Sequence, residues 1–220
     1  MSMNKNLQSF YADILSKKLT PALKPFIKST KDQPANPLLI KVDEEYENSD
    51  FKIMLFGQET NSWNIEFCNG LYHPNLSIIL ERYEIFFLGN GSYNYGKGNK
   101  PCSKIVKGFW GGVNEFFRIF RGTDYPFRQF VFDNDKRVSF IWNNVVKLGK
   151  QNKKGRPNFY PDIKEINKEI IKHEIEVLNP NVLLLFSGPF YDDVVKYIFD
   201  IDGFFEDCCG ARRSSLGFVA

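Results

Sequence analysis

The sequence predicts an α/β protein whose short parallel sheet is covered by helices on both faces. Three continuous apolar runs, at 51–57, 138–146 and 181–188, are typical of buried parallel strands. Residues 5–19 and 160–180 have the apolar spacing of amphipathic helices. Strands of this kind that alternate with amphipathic helices favour crossover connections, and therefore parallel pairing.

Residues 1–50 are predicted to form an N-terminal helix followed by a segment on the protein surface. Four prolines interrupt any regular pattern after the helix: Pro21, Pro25, Pro34 and Pro37. A chain of 220 residues is long enough for one sizeable core. We therefore expect a single domain spanning 1–220, with 1–50 lying over the sheet.

The middle of the chain is predicted to hold a long loop between two less regular segments. Residues 83–89 are compatible with either a strand or part of a helix. Residues 89–108 are rich in Gly, Asn and Lys and are predicted to be a loop. Residues 109–120 begin with glycines and continue with helical spacing, and 147–159 form a basic loop.

Composition excludes several classes of protein and leaves others open. The chain is 43% hydrophobic and 25% charged, which is typical of globular proteins, and its net charge of +3 is too small to indicate a nucleic-acid partner by itself. No apolar stretch is long enough for a membrane helix, and the N-terminus lacks an apolar signal core, so we expect a cytoplasmic protein. We also expect it to be a monomer. Cys208 and Cys209 are adjacent and no C-x-x-C pair occurs, so no metal or other cofactor is predicted.

Polar residues follow each predicted strand, at Gly57–Asn61, Asn143–Asn144 and Ser187–Gly188. Ligands of parallel sheets bind beyond the carboxyl ends of the strands, where these residues would meet. A carboxylate such as Glu59 can orient a water molecule, and an Asn side chain offers both a donor and an acceptor to a nucleobase edge. Each segment alone is also compatible with ordinary turn chemistry.

The order of these segments resembles the uracil-DNA glycosylase superfamily. LFGQETNSW (55–63) is similar to that family's first motif, which reads Gly-Gln-Asp-Pro-Tyr-His in its best-known branch. Gly57 and Gln58 match directly. Glu59 stands where that branch has the Asp that handles the hydrolytic water, and Asn61 stands where it has a Tyr that excludes thymine.

Two further segments carry the resemblance through the chain. GFWGGVNEFF (108–117) is similar to the segment with the Phe that stacks on the flipped base, which indicates Phe109, with Trp110 as the second choice. FIWNNVVKLGK (140–150) resembles the strand whose terminal Asn binds the uracil edge, which indicates Asn143. NVLLLFSGPF (181–190) is similar to the strand that follows.

The resemblance implies a three-layer α/β/α fold and a DNA-repair hydrolase without a cofactor. Such an enzyme cleaves the N-glycosidic bond of a flipped base, here uracil or a related deaminated base, with single- or double-stranded DNA as its partner. Glu59 would position the water and Gln58 would contact the base. Five basic residues of the loop after the second strand are predicted to contact the DNA backbone: Lys147, Lys150, Lys153, Lys154 and Arg156.

Two alternatives remain open. The family's second catalytic motif, which is His-Pro-Ser-like, follows a fourth strand, for which SSLGFVA (214–220) is the candidate, and no such motif occurs after it in the sequence. Either the sequence is truncated before the motif or the protein lacks its His, and in the second case the chain is a glycosylase scaffold that only binds nucleic acid or a protein partner. GSYNYGKG (91–98) approaches a phosphate-binding loop, but Gly98 replaces the required Ser or Thr.

Overall fold

The computed structural model describes residues 2–27, 33–60, 63, 75–88, 109, 112–113, 116, 130–132, 136–151, 153–201 and 217–219, which form a mixed α/β fold. The helices are α1 (Met3–Ile14), α2 (Thr20–Leu23), α3 (Glu44–Glu47), α4 (Leu76–Tyr83), α5 (Tyr160–Leu178) and α6 (Asp192–Phe199). The strands are β1 (Pro34–Pro37), β2 (Phe51–Glu59), β3 (Phe130–Phe132), β4 (Lys136–Val146), β5 (Leu148–Lys150), β6 (Val182–Leu185) and β7 (Gly217–Val219). The predicted loop at 89–108 lies outside these residues.

The main sheet has five strands in the order β3-β4-β2-β6-β7. Its three central strands are parallel, as the continuous apolar runs predicted, whereas β3 and β7 are antiparallel to their neighbours. The register places Phe56 beside Asn143 and Gly57 beside Asn144. A separate antiparallel pair joins β1 to β5.

The central strand β2 is apolar throughout because both of its faces are covered. Ile53 through Phe56 are all buried. On one face, the Phe199 ring of α6 packs edge-on against Phe56, with 5.7 Å between ring centroids. On the same face, Glu174 of α5 accepts a hydrogen bond from the Asn143 side chain. The opposite face carries a cluster of aromatic side chains around Trp142.

The strand β4 has an outer edge that β3 covers only in part. Within the described residues, β3 pairs with β4 over 136–138. Further along, the hydroxyl of Tyr83, on α4, donates to the Trp142 carbonyl at 2.7 Å and accepts from the Trp142 amide at 3.1 Å. One side chain thus satisfies both backbone groups that a neighbouring strand would otherwise pair.

Several sequence expectations are corrected by the structure. The segment predicted to lie on the surface is largely buried, with Leu38, Leu39 and Ile40 at most 1% exposed, because β1 pairs with β5 and the Leu38 amide donates to the Lys147 carbonyl. Gly57 does not end β2, since the extended backbone continues to Glu59. The ambiguous residues 84–88 are helical and continue α4 in a wider turn.

None of the helices described in the structure combines the length and the apolar character needed to cross a membrane.

Candidate functional site

Gly57 and Asn144 lie side by side at the carboxyl ends of two parallel strands, and both are buried. A methyl group added to Gly57 would come within 2.5 Å of Asn144 Oδ1 and 3.3 Å of a ring carbon of Phe109. Only glycine therefore lets the backbone of β2 approach both side chains so closely. Gly57, Asn144 and Phe109 form what we call the strand-end site.

Aromatic rings border the strand-end site. The Phe109 ring is half-buried and lies 6.3 Å from the Trp142 ring and 5.9 Å from the Phe186 ring, centroid to centroid. Phe186 follows β6, so the rings come from both neighbours of β2 and from the 109–116 segment. The rings are tilted or perpendicular to one another, so a planar ligand could stack on one ring face, such as that of Phe109, while the others form an apolar border.

The amide of Asn144 is buried but only half satisfied. Its Oδ1 accepts a hydrogen bond from the Trp142 indole Nε1 at 3.2 Å. Its Nδ2 has no hydrogen-bond partner among the residues that the structure describes. Because an unpaired buried donor is costly, such a group commonly marks a place where a ligand or water binds.

Asn143, which the sequence predicted to bind the base edge, points to the face of the sheet opposite the strand-end site. Its Nδ2 donates to Glu174 Oε2 at 2.9 Å. Its Oδ1 accepts from Lys147 Nζ at 2.7 Å and from the backbone N–H of Asn144 at 2.8 Å. Asn144, the next residue, lies on the other face, because successive side chains of a strand point to opposite faces. Asn144 shares its face with Trp142 and Gly57.

Lys147, predicted to contact DNA, is fully buried. Its Nζ donates to both carboxylate oxygens of Glu174 at 2.8 Å, and Glu174 also accepts from the Tyr11 hydroxyl at 2.7 Å. Burial lowers the pKa of Lys147, and the nearby Glu174 carboxylate opposes that shift. We call Tyr11, Asn143, Lys147 and Glu174 the buried polar cluster; it has no surface to offer a phosphate.

Glu174 was missed from the sequence, although a signal for it exists. It lies four residues after Ile170 and four before Leu178, both buried on the inner face of α5. A glutamate at an apolar position of an amphipathic helix must find a buried partner. That partner, Lys147, is 27 residues earlier in the chain.

Glu59 lies beyond the strand-end site and already holds two neutral donors. Its Oε1 accepts from the Gly155 amide at 2.7 Å, and its Oε2 accepts from the Tyr191 hydroxyl. Burial, followed by the hydrogen bond to Glu59, raises the pKa of Tyr191, so the hydroxyl stays protonated at neutral pH. A carboxylate has about four lone-pair positions, so Glu59 can still accept from a water molecule.

The remaining predicted residues are distributed unevenly. Gln58 is exposed, and its Nε2 donates to the Ser187 carbonyl at 2.7 Å, which ties the ends of β2 and β6 together. Lys153, Lys154 and Arg156 are exposed and Lys150 is half-buried. Arg156 pairs with Asp193 at 2.6 Å. Asn61 and Trp110 lie outside the described residues.

Comparisons of the chain with protein-family models, with curated proteins and with solved structures find no match. The functional interpretation therefore rests on the geometry of the site.

Proposed function

We propose that the protein is a DNA glycosylase-like hydrolase of the uracil-DNA glycosylase type, which cleaves the N-glycosidic bond of a flipped, deaminated base. One observation carries the proposal: Asn144, whose buried Nδ2 has no hydrogen-bond partner among the described residues, lies beside Gly57 and a half-buried Phe ring near the ends of two adjacent parallel strands. A donor, a close backbone approach and an aromatic ring are what recognition of a single flipped base requires.

The roles of the base-binding residues follow from their chemistry. Phe109 would stack on the base, and Asn144 Nδ2 would donate to a carbonyl oxygen on its edge. As the glycosidic bond breaks, negative charge develops on that oxygen. A fixed donor at this position stabilises the charge more in the transition state than in the ground state. Asn144 takes the base-reading role first assigned to Asn143.

Glu59 would supply the carboxylate of the reaction. The sugar acquires oxocarbenium character as the base departs, and a nearby negative charge stabilises it. A water held by Glu59 would then add to the anomeric carbon, with its proton passing to the carboxylate. The amide of Gly155 and the hydroxyl of Tyr191 would fix the direction of the carboxylate for this task.

The DNA backbone would lie over the exposed part of the basic loop. Lys153, Lys154 and Arg156 are exposed on this loop, where Arg156 also pairs with Asp193, whereas Lys147 is buried and is removed from the prediction. Positive side chains on a loop suit phosphate contact without sequence reading.

A second candidate function is a glycosylase-like protein that only binds nucleic acid. The observation in its favour is that both carboxylate oxygens of Glu59 already accept hydrogen bonds, from the Gly155 amide and the Tyr191 hydroxyl, so Glu59 has a structural role that requires no catalysis. In this case Glu59 would hold the basic loop and Tyr191 in place, and Asn144 and Phe109 would bind an unpaired base without cleaving it.

Cleavage of DNA at abasic sites separates the two functions. The substrates are single- and double-stranded oligonucleotides with one uracil, hypoxanthine or xanthine. We expect the wild type to release one of these bases, and Glu59→Gln to slow release by about 10²–10³-fold. Glu176→Gln, the same change at an exposed glutamate of α5, is the matched control. Activity that survives in Glu59→Gln would refute the mechanism, and binding without release would favour the second function.

A further inference from the structure

The indole of Trp142 is held in one orientation by its surroundings. Its ring lies 5.2 Å from Phe86 and 5.6 Å from Trp63, centroid to centroid, and nearly parallel to Tyr83 at 6.2 Å. The Tyr83 hydroxyl also binds both backbone groups of Trp142. The indole N–H is therefore directed at Asn144 by packing and not by Asn144 itself.

This arrangement removes the ambiguity of an Asn side chain. An amide offers a donor at one end and an acceptor at the other, and rotation by 180° exchanges them. An indole N–H can only donate, so the Asn144 atom that faces it at 3.2 Å is the oxygen. Rotation would place two donors against each other in a buried setting, which is unfavourable. The end of the amide left for a ligand is Nδ2.

We infer that Trp142 is a specificity-determining residue, which fixes Asn144 as a donor and so makes the site prefer a base carbonyl to an exocyclic amino group. The inference rests on the proposed function of the strand-end site. Trp142 is a positioning residue in this inference, because it acts through Asn144. Uracil and hypoxanthine carry a carbonyl where cytosine and adenine carry an amino group, so one indole N–H would separate the two classes.

The experiment compares binding of two single-stranded oligonucleotides that differ only in one central uracil or cytosine. We expect the wild type to bind the uracil strand more tightly. Trp142→Phe keeps an aromatic ring but lacks the N–H, so Asn144 becomes free to rotate. The ratio of the dissociation constant of the cytosine strand to that of the uracil strand should then fall by about tenfold, mainly because the cytosine strand binds better.

Trp63→Phe is the matched control. Trp63 packs edge-on against Trp142, yet its own Nε1 has no hydrogen-bond partner among the described residues. The change shrinks a ring of the same cluster without touching the amide of Asn144. We expect it to leave the ratio unchanged; an equal fall in both variants would assign the effect to packing and overturn the inference.

A third variant separates failure of the inference from failure of the proposed function. Asn144→Ala should weaken binding of the uracil strand and abolish the preference. If Asn144→Ala binds that strand like the wild type, the proposed function and the inference both fail. If the wild type has no preference, or if Asn144→Ala weakens binding but Trp142→Phe keeps the full ratio, only the inference fails.

The hydrogen bond itself has a readout that needs no ligand. In a ¹⁵N–¹H spectrum, the indole proton of Trp142 should move upfield and exchange faster with solvent in Asn144→Ala, because its acceptor is gone. The indole proton of Trp63 should change little. An unmoved Trp142 signal would show that Asn144 is not its acceptor and would overturn the inference.

Discussion

The buried polar cluster allows a sharp test of how this core is stabilised. Lys147→Met removes the ammonium group, which donates to Asn143 at 2.7 Å and to both oxygens of Glu174 at 2.8 Å. Methionine fills a similar volume, so cavity formation contributes little. What remains is a fully buried carboxylate with only the neutral donors of Tyr11 and Asn143.

The expected cost follows from the burial of the pair. Removal of one partner of a buried ion pair destabilises a protein by about 3–5 kcal/mol, because the other charge is left uncompensated. Both Lys147 and Glu174 have fully buried side chains, so solvent does not screen them. A loss of 4 kcal/mol is about a 10³-fold change in the folding equilibrium, which urea unfolding followed by circular dichroism measures readily.

Two further variants decide whether the uncompensated charge is the cause. In Lys147→Met/Glu174→Gln the charge is gone and the new amide still offers one oxygen to Asn143. We expect this double variant to recover about 2 kcal/mol relative to Lys147→Met. Lys17→Met, the same change in an exposed pair with Asp13, should cost under about 1 kcal/mol. A double variant no more stable than Lys147→Met would refute the reasoning.

Three other predictions concern the rest of the structure. Gly149→Ala should cost about 1–3 kcal/mol in urea unfolding, because the added methyl overlaps the backbone oxygen of Thr60; an unchanged midpoint would contradict the close packing. Burial raises the pKa of Tyr46 well above its ordinary 10.0, so the folded protein keeps Tyr46 protonated at pH values where the unfolded chain loses that proton. The contribution of protonated Tyr46 to folding stability is therefore present below pH 10 and lost as the pH rises further. Tyr46→Phe should therefore make the fall in stability between pH 10 and 11 smaller by about 1 kcal/mol, because Tyr46 in the unfolded chain is only half ionised at pH 10, and an equal fall in both proteins would contradict this. Hydrogen bonds from Lys168, and to a smaller extent from Lys172, lower the pKa of Asp200 from 3.8. Any stabilisation of the fold by ionised Asp200 is therefore present above pH 3.8 and lost as the pH falls through the lowered pKa. An NMR titration of Asp200 should show its midpoint move up in Lys168→Met, and a midpoint that stays put would refute the pairing.

The parallel centre of the sheet was predictable because burial on both faces leaves a direct mark on composition. A strand covered on both sides must be apolar at every position, as 53–56 are. The antiparallel pairing of β3 and β7 leaves no comparable mark, since a short strand of three residues has too few positions to show a pattern.

The sequence indicated which polar residues lie near the strand ends, but not on which face of the sheet each side chain lies. The strand ends were found, but Asn143 and Asn144 are chemically identical neighbours, and only the face occupied by Gly57 and Trp142 distinguishes them. Lys147 looked like a loop lysine because no local rule predicts an ion pair with Glu174 on a distant helix. The prolines before β2 suggested surface loops. In the structure, however, the extended segment β1 pairs with β5, and the residues that follow it are buried in the core.

The hydroxyl of Tyr83 on the outer edge of β4 has a consequence for behaviour at high concentration. An edge with a free amide and carbonyl is a template on which a strand from another molecule can add, and this is a common first step of aggregation. Here one phenol occupies both groups of Trp142, so a second copy of the chain finds no ladder to extend at that residue. Among the described residues, it is therefore a side chain and not another strand that blocks strand addition to β4 at Trp142.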